Sequence, residues 1–551
     1  MHALMMDFPL TIPAIARRAR TLFAHRPVSG RRPDRTITRT SYAVVLERTR
    51  RLGAALAELG VERGERVATL AWASQEHLEA YLAIPSIGAV LHTLNLRLHH
   101  DDLAYIVNDA QDAVIILDES LLPLFETFRA QTPSIRHVVV IPSGCVGSGP
   151  SRASDMLDYE ELLASANPDT YVDAVLDEND AAAMCYTSGT TGRPKGVLYS
   201  HRALVLHSFS QGLVDSLAVG ERDVILPIVP MFHVNAWGLP FTGTLFGAGQ
   251  VFPGPYLDGA SVLDLIVRER VTLTAGVPTV WLGMLQELDR NPGVNDLSAL
   301  RTIAIGGSAA PSSLIAAYQE RHNIRIVHAW GMTELTPLGT VCHLPEALDA
   351  APFKTQIEYR SRQGKPLPFV EVRAVADDKE VPWDGQTMGE LEVRGPWVAR
   401  QYYNVDGPDV RFSPDGWFRT GDVVMIHPDG CVELTDRAKD LVKSGGEWIS
   451  SVALENALMS HPDVAEAAVV AVPHPKWDER PLAVVVLRNS SHASAESLRE
   501  FLAPMFAKWW LPDSIEFVSE IPRTSVGKFK KSVLRDQFKD AYRDREGPVR
   551  K

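Results

Sequence analysis

Cysteine is scarce in this chain. Four residues in 551, at Cys145, Cys185, Cys342 and Cys431, lie far apart with no C-x-x-C spacing. That argues against a disulfide-stapled scaffold or a structural zinc site and leaves thiols suited to a reducing compartment. Positive charge is short as well: 55 Lys and Arg face 68 Asp and Glu, a formal net charge of −13. A nucleic-acid partner ordinarily requires a basic face or tail. The basic segment from Lys528 onward interleaves acidic residues and reads as a solvated helix. No apolar run reaches the roughly 18 residues of a membrane span. The first residues lack the charged start and following apolar stretch of a secretory signal, because Arg17, Arg18 and Arg20 come after the apolar positions. No unit of about 20–50 residues repeats. These absences lead to the expectation of a cytoplasmic enzyme that neither spans a membrane nor binds nucleic acid.

What is present is ordinary for a globular protein, with 45% hydrophobic and 22% charged residues. A chain of 551 residues exceeds what one core organises, so two or more domains are expected. Residues 41–60, 75–85 and 101–111 carry helical spacing, and 66–71, 88–94 and 113–117 read as strands. Such alternation implies parallel sheet with helices on its faces. Residues 143–153, rich in Gly and Ser, read as a surface loop. Short apolar strands recur at 224–229, 249–252, 272–276 and 302–305. From about residue 364 the pattern alternates, at 370–376, 389–394 and 431–434, which predicts a smaller antiparallel sheet. A second compact α+β unit follows, with helices at 451–460 and 495–502, the latter capped by Ser494, and strands at 466–472 and 482–487. The expected division is 1–435, a linker at 436–441, and a small mobile domain at 442–551.

One loop carries chemistry. Tyr186-Thr187-Ser188-Gly189-Thr190-Thr191-Gly192-Arg193-Pro194-Lys195-Gly196 packs three glycines, four hydroxyls and a lysine behind an apolar strand. Glycine lets backbone N–H groups wrap an anion, hydroxyls donate to phosphate oxygens, and lysine adds a point charge. The Walker A spacing is absent, because Gly189 and Gly192 stand too close and Lys195 precedes glycine.

This loop resembles the signature of the adenylate-forming enzymes: acyl- and aryl-CoA synthetases, peptide-synthetase adenylation domains and beetle luciferases. Four further segments resemble that family's pattern in order. They are Trp330-Gly331-Met332-Thr333-Glu334, Gly416-Trp417-Phe418-Arg419-Thr420-Gly421-Asp422, Asp436-Arg437-Ala438-Lys439-Asp440-Leu441, and Pro522-Arg523-Thr524-Ser525-Val526-Gly527-Lys528. The resemblance implies that ATP and an acid react to an acyl-adenylate and that coenzyme A then takes the acyl group. Two anions must meet in the first step, so charge neutralisation is the main need. By resemblance Thr187 and Glu334 hold Mg2+. Trp330 lies against adenine, in place of the usual tyrosine. Gly307, Ser308, His328, Ala329, Gly331 and Thr333 flank the nucleotide, Asp422 accepts from the ribose hydroxyls, and Arg437 assists. Lys528 supplies the adenylation ammonium and Lys439 the hinge, about which the C-terminal domain turns between half-reactions. Lys443 joins Lys528 and Glu334 as catalytic, and Trp448 joins the nucleotide residues, with 443–448 expected as a loop.

The acid itself is less defined. Residues 230–238, apolar and aromatic, resemble the acid-pocket segment of fatty acyl-CoA synthetases, which places His233, Val234, Trp237 and Gly306 at the acid, with Trp237 as gate. Residues 443–451 and 472–477 resemble the medium- and long-chain group. Medium- to long-chain fatty acids rank first, short thioether or branched acids such as methylmercaptopropionate second, and loading of a carrier protein third. Some fatty acyl relatives are homodimers, so a homodimer is allowed.

Overall fold

A computed structural model describes residues 4–143, 153–169, 171–187, 193–405, 407, 409–445, 447–488, 491–523 and 529–542. Ser188, Gly189, Thr190, Thr191 and Lys528, together with most of the expected loop 143–153, lie outside the described residues. Among the described residues four sheets form.

The first has seven strands in the order Met156–Asp158, His137–Ile141, Asp112–Asp118, Arg66–Leu70, Val90–Thr93, Ala181–Tyr186 and Gly196–Ser200. All pairs are parallel except the last, a hairpin. Every residue of Asp112–Asp118 is buried, as expected of a central parallel strand covered on both faces. The second sheet has nine strands: Lys365–Pro366, Leu338–Val341, Arg325–Gly331, Thr302–Ile305, Leu273–Gly276, Val224–Pro227, Gly249–Phe252, Pro27–Arg31 and Ile37–Ser41. Its interior, from Arg325–Gly331 to Pro27–Arg31, is parallel, and both edges turn antiparallel.

The helix Gln75–Ser86 packs against strands of both sheets and buries all its residues from Glu76 onward. It starts where the Ser74 side chain accepts from the His77 N–H, a local cap for an otherwise orphaned donor. A helix buried all round belongs between layers.

The third sheet is wholly antiparallel: Lys379–Glu380, Glu371–Ala376, Met388–Arg394, Phe418–Ile426 and Val432–Arg437. Phe418–Ile426 alternates buried and half-buried residues along its whole length, as a sheet with one wet face requires. The last sheet joins Glu447–Ile449, Val442–Ser444, Asp478–Leu487 and Val464–His474, with Ser514–Phe517 alongside Asp478–Leu487. Its helix Ala495–Leu502 opens on a capping box at Ser494. The segment 443–448 is therefore not a simple loop. Lys443 pairs with Trp448 and Ser444 with Glu447 across a tight hairpin, because Val442 and Ile449 at its base are drawn into the core.

Candidate active site

Ligands of open α/β sheets collect beyond the carboxyl ends of the strands. Four neighbouring strands of the nine-stranded sheet deliver the expected residues there. Val224–Pro227 runs into residues 228–238, Leu273–Gly276 into Val277, Thr302–Ile305 into Gly306, Gly307 and Ser308, and Arg325–Gly331 ends in Trp330 and Gly331. The short turn Thr333–Leu335 follows and carries Glu334.

At the end of the last of these strands, Trp330 is 7% exposed and its Nε1–H donates to Asp422 Oδ2 at 2.8 Å. Asp422, on the strand Phe418–Ile426, is itself buried and pairs with Arg437 Nε at 3.2 Å. The residues assigned to adenine, ribose and their support thus form one unit, although 92 positions separate Trp330 from Asp422. Gly331 is obligatory: a Cβ there would stand 2.1 Å from the Pro337 carbonyl oxygen. The Tyr199 hydroxyl donates to the Thr333 carbonyl at 2.8 Å, tying this turn to the other large sheet. The His328 imidazole is buried, bonded through Nδ1 to the Ser361 carbonyl at 2.8 Å, with burial holding its pKa near 4. Its side chain is part of the framework, and only its main chain is left for a nucleotide. Ala329 is buried beside it, while Ser308 is exposed.

The base of the phosphate loop is stapled. Thr187 N–H donates to the Lys195 carbonyl at 2.9 Å and Lys195 N–H to Thr187 Oγ1 at 3.1 Å. Lys195 Nζ reaches Asp409 Oδ2 at 2.7 Å and lies 4.6 Å from the Tyr402 ring centre. Burial alone would raise the Asp409 pKa, but the Lys195 ammonium and the Arg411 N–H hold its carboxyl below the usual range. Glu334 is 3% exposed; its Oε1 accepts from the Tyr402 hydroxyl at 2.5 Å and stands 3.5 Å from Arg411 Nη1. Tyr402, Asp409 and Arg411 escaped the sequence reading. They sit in a connection without a strand or helix pattern, and Tyr402 and Arg411 meet Glu334 across 68 and 77 positions. The available signal was a cluster of tyrosines and paired charges just ahead of the ribose segment.

Against Gly307 lies a cavity of about 220 Å³, lined mainly by apolar side chains, with Trp237, His233, Arg97 and Leu257 also in its wall. Gly307, read as a nucleotide residue, therefore also faces this space. Gly306 packs so closely that a Cβ would lie 2.9 Å from both the Trp237 ring and the Ala329 carbonyl. Val234 is buried and is not part of the lining. Instead it opens a left-handed turn: Val234, Asn235, Ala236 and Trp237 have φ of 46°, 52°, 50° and 57°. Each such residue costs about 1–2 kcal/mol, least for asparagine. Gln211 Nε2, donating to the Trp237 carbonyl at 2.8 Å, helps hold the turn.

Lys439 is exposed at the link between the last two sheets; partial burial and the neighbouring Arg437, Arg535 and Arg411 charges draw its pKa down. Lys443 Nζ lies 4.9 Å from the exposed Trp448 ring on the hairpin.

A fold-wide match bears on this geometry: residues 21–403 match the model of the AMP-binding enzyme family, and residues 453–528 match the AMP-binding enzyme C-terminal domain. The chain belongs to the AMP-binding enzyme family. This AMP-binding enzyme is 48% identical over 542 residues to the long-chain-fatty-acid–CoA ligase of Thermus thermophilus, covering 98% of the chain and 97% of the relative. It is 44% identical over 546 residues to the 3-methylmercaptopropionyl-CoA ligase of Ruegeria lacuscaerulensis, covering 98% and 99%. Among solved structures it resembles the anthranilate CoA ligase AuaEII bound to anthranoyl-AMP, with a TM-score of 0.85, 26% identity and coverage of 97% and 99%.

Proposed function

We propose that this AMP-forming acid–CoA ligase takes medium- to long-chain fatty acids. ATP and coenzyme A are its co-substrates: the acid's carboxylate displaces diphosphate from ATP, and the CoA thiol then displaces AMP. The observation that carries the reading is the turn at 306–307: Gly307 lines the apolar cavity, and Gly306 packs on the Trp237 ring of that cavity and on the carbonyl of Ala329, the residue before Trp330. An acid lying in the cavity would present its carboxylate toward that turn. A lining that is mostly apolar, with Arg97, His233 and Thr279 as its polar members, favours an alkyl chain over a hydroxylated acid.

In this reading Trp330 and Asp422 hold the nucleoside, the loop from Thr187 to Lys195 the phosphates, and Lys528 the charge that develops between the acid and the α-phosphate. Glu334 and the Thr187 hydroxyl are two hard oxygen donors, a set that suits Mg2+ bound mainly through nucleotide phosphates. Bound there, the ion would neutralise phosphate charge. Residues 436–441 serve as the hinge between 1–435 and 442–551. Support comes from residues 438–441, which connect the strand Val432–Arg437 of one sheet to Val442–Ser444 of the next. The free, buried Cys185, Cys342 and Cys431 support a cytoplasmic setting, and among the described residues no helix is long and apolar enough to cross a membrane.

The test is AMP release from ATP, CoA and a panel of acids from short thioether to long-chain. Turnover should peak on alkyl acids of medium length or longer. A peak on methylmercaptopropionate, or release that requires a carrier protein instead of CoA, would overturn the substrate reading. In the same assay Lys528→Ala should lose adenylation yet still convert pre-made acyl-adenylate with CoA; normal pyrophosphate exchange in that variant would remove Lys528 from its role.

A further inference from the structure

Four charged side chains stand in a row at the phosphate end of the site. Lys195 Nζ bonds Asp409 Oδ2 at 2.7 Å, Asp409 Oδ1 accepts the Arg411 N–H at 2.9 Å, and the Arg411 guanidinium lies 3.5 Å from Glu334. Tyr402 closes the row: its hydroxyl donates to Glu334 at 2.5 Å and accepts from Arg411 at 3.1 Å. Asp409 thus locks the 409–411 segment to the lysine of the phosphate loop, which fixes where Arg411 can reach.

Arg411 is poorly explained as a mere counter-ion for a buried carboxylate. At 3.5 Å the pair is loose, and the same Glu334 oxygen is already satisfied by Tyr402. The Arg411 side chain is 38% exposed, where a dedicated buried partner would be enclosed. Positive charge also gathers on this side: Lys439 is close enough for Arg437 and Arg411 to bear on its ammonium. Lys195, Arg411, Arg437 and Lys439 bring four cations to this side, an arrangement that suits an anion of several charges.

We propose that Arg411 is a further binding residue for the β- and γ-phosphates of ATP and for the pyrophosphate they become, resting on Glu334 and Tyr402 until the nucleotide enters. This rests on the reading of the cluster as the ATP site. A guanidinium presents parallel donors that match phosphate oxygens, a closer fit than the loose carboxylate contact it makes here. Tyr402 keeps Glu334 satisfied while Arg411 swings away.

The experiment compares equilibrium binding of ATP, inorganic pyrophosphate and AMP by calorimetry in the wild-type chain, Arg411→Gln and Arg411→Lys. AMP lacks the groups Arg411 would hold. Arg411→Gln should weaken ATP and pyrophosphate about tenfold or more while AMP binding stays unchanged, and Arg411→Lys should restore part of the loss. AMP weakened as much as ATP would mean that Arg411 acts only through Glu334 and Tyr402, and unchanged ATP and pyrophosphate binding would leave it no role; either overturns the proposal. Failure of the wild-type chain to bind both ATP and AMP would instead bring down the site reading beneath it.

Discussion

Replacing Trp330 by phenylalanine separates the two tasks of its indole. The ring face is largely retained and the Nε1–H that reaches Asp422 Oδ2 at 2.8 Å is lost. Asp422 is 3% exposed and, among the described residues, keeps Arg437, at 3.2 Å, as its ionic partner. A hydrogen bond to a charged group contributes about 1.5–3 kcal/mol, and a buried carboxylate cannot turn to water for a substitute. The smaller ring also leaves space against Gly339, where the indole now fills the room a Cβ would need, for about another 1 kcal/mol. Trp330→Phe should therefore lower unfolding free energy by about 2–4 kcal/mol in urea titrations and raise the KM for ATP, since Asp422 loses its orientation. A double-mutant cycle with Asp422→Asn isolates the bond: the coupling should be about 1.5 kcal/mol or more. Strictly additive effects, or a Trp330→Phe protein with the wild-type urea midpoint and ATP KM, would refute the assignment of Trp330 and Asp422 to one unit.

Gly306→Ala places a methyl 2.9 Å from the Trp237 ring and the Ala329 carbonyl. Overpacking of about 1–3 kcal/mol should raise the KM for alkyl acids roughly 5- to 150-fold and leave short acids less affected; an unchanged acid profile in steady-state kinetics would contradict the reading of the Trp237-lined cavity as the place of the acid. Histidines buried in neutral form give the fold an acid-sensitive component. Burial depresses His77, His201 and His328 to about 4 and His207 to about 3. Their contribution is complete above the unfolded value near 6.5 and is lost as pH falls toward 4, at about 1.4 kcal/mol per pH unit each. Glu79, Asp118 and Glu455, held up at about 7 by burial, slope the other way, so the test is a difference. Between about pH 6.5 and 5, His207→Gln should lose about 1.4 kcal/mol per pH unit less than the wild-type chain in urea unfolding; identical slopes would mean the His207 ring protonates without opening the core.

The parallel sheets were legible because their strands are buried on both faces and write nearly unbroken apolar text, as in Asp112–Asp118. The helix Gln75–Ser86 was legible from its spacing, though not its place between two sheets. Pairing of Pro27–Arg31 with Gly249–Phe252 was not legible, since a short strand records nothing of a partner more than 200 positions away. The residues of the site divide the same way. Those in contiguous motifs could be named in advance, because glycines and hydroxyls at fixed spacing have a local backbone reason. Tyr402, Asp409 and Arg411 gain their meaning only where the fold sets them beside Glu334 and Lys195, and the hairpin at 443–448 needed the burial of Val442 and Ile449 to declare itself.

The left-handed turn from Val234 to Trp237 has a consequence for engineering. Three of its four residues would be more comfortable as glycine, so a stability screen should find relief there, notably at Ala236. Such a gain would loosen the indole beside the acid cavity. This segment marks a place where thermal resistance and choice of acid are in opposition, and a hardened variant should be asked which acids it still accepts before it is called improved.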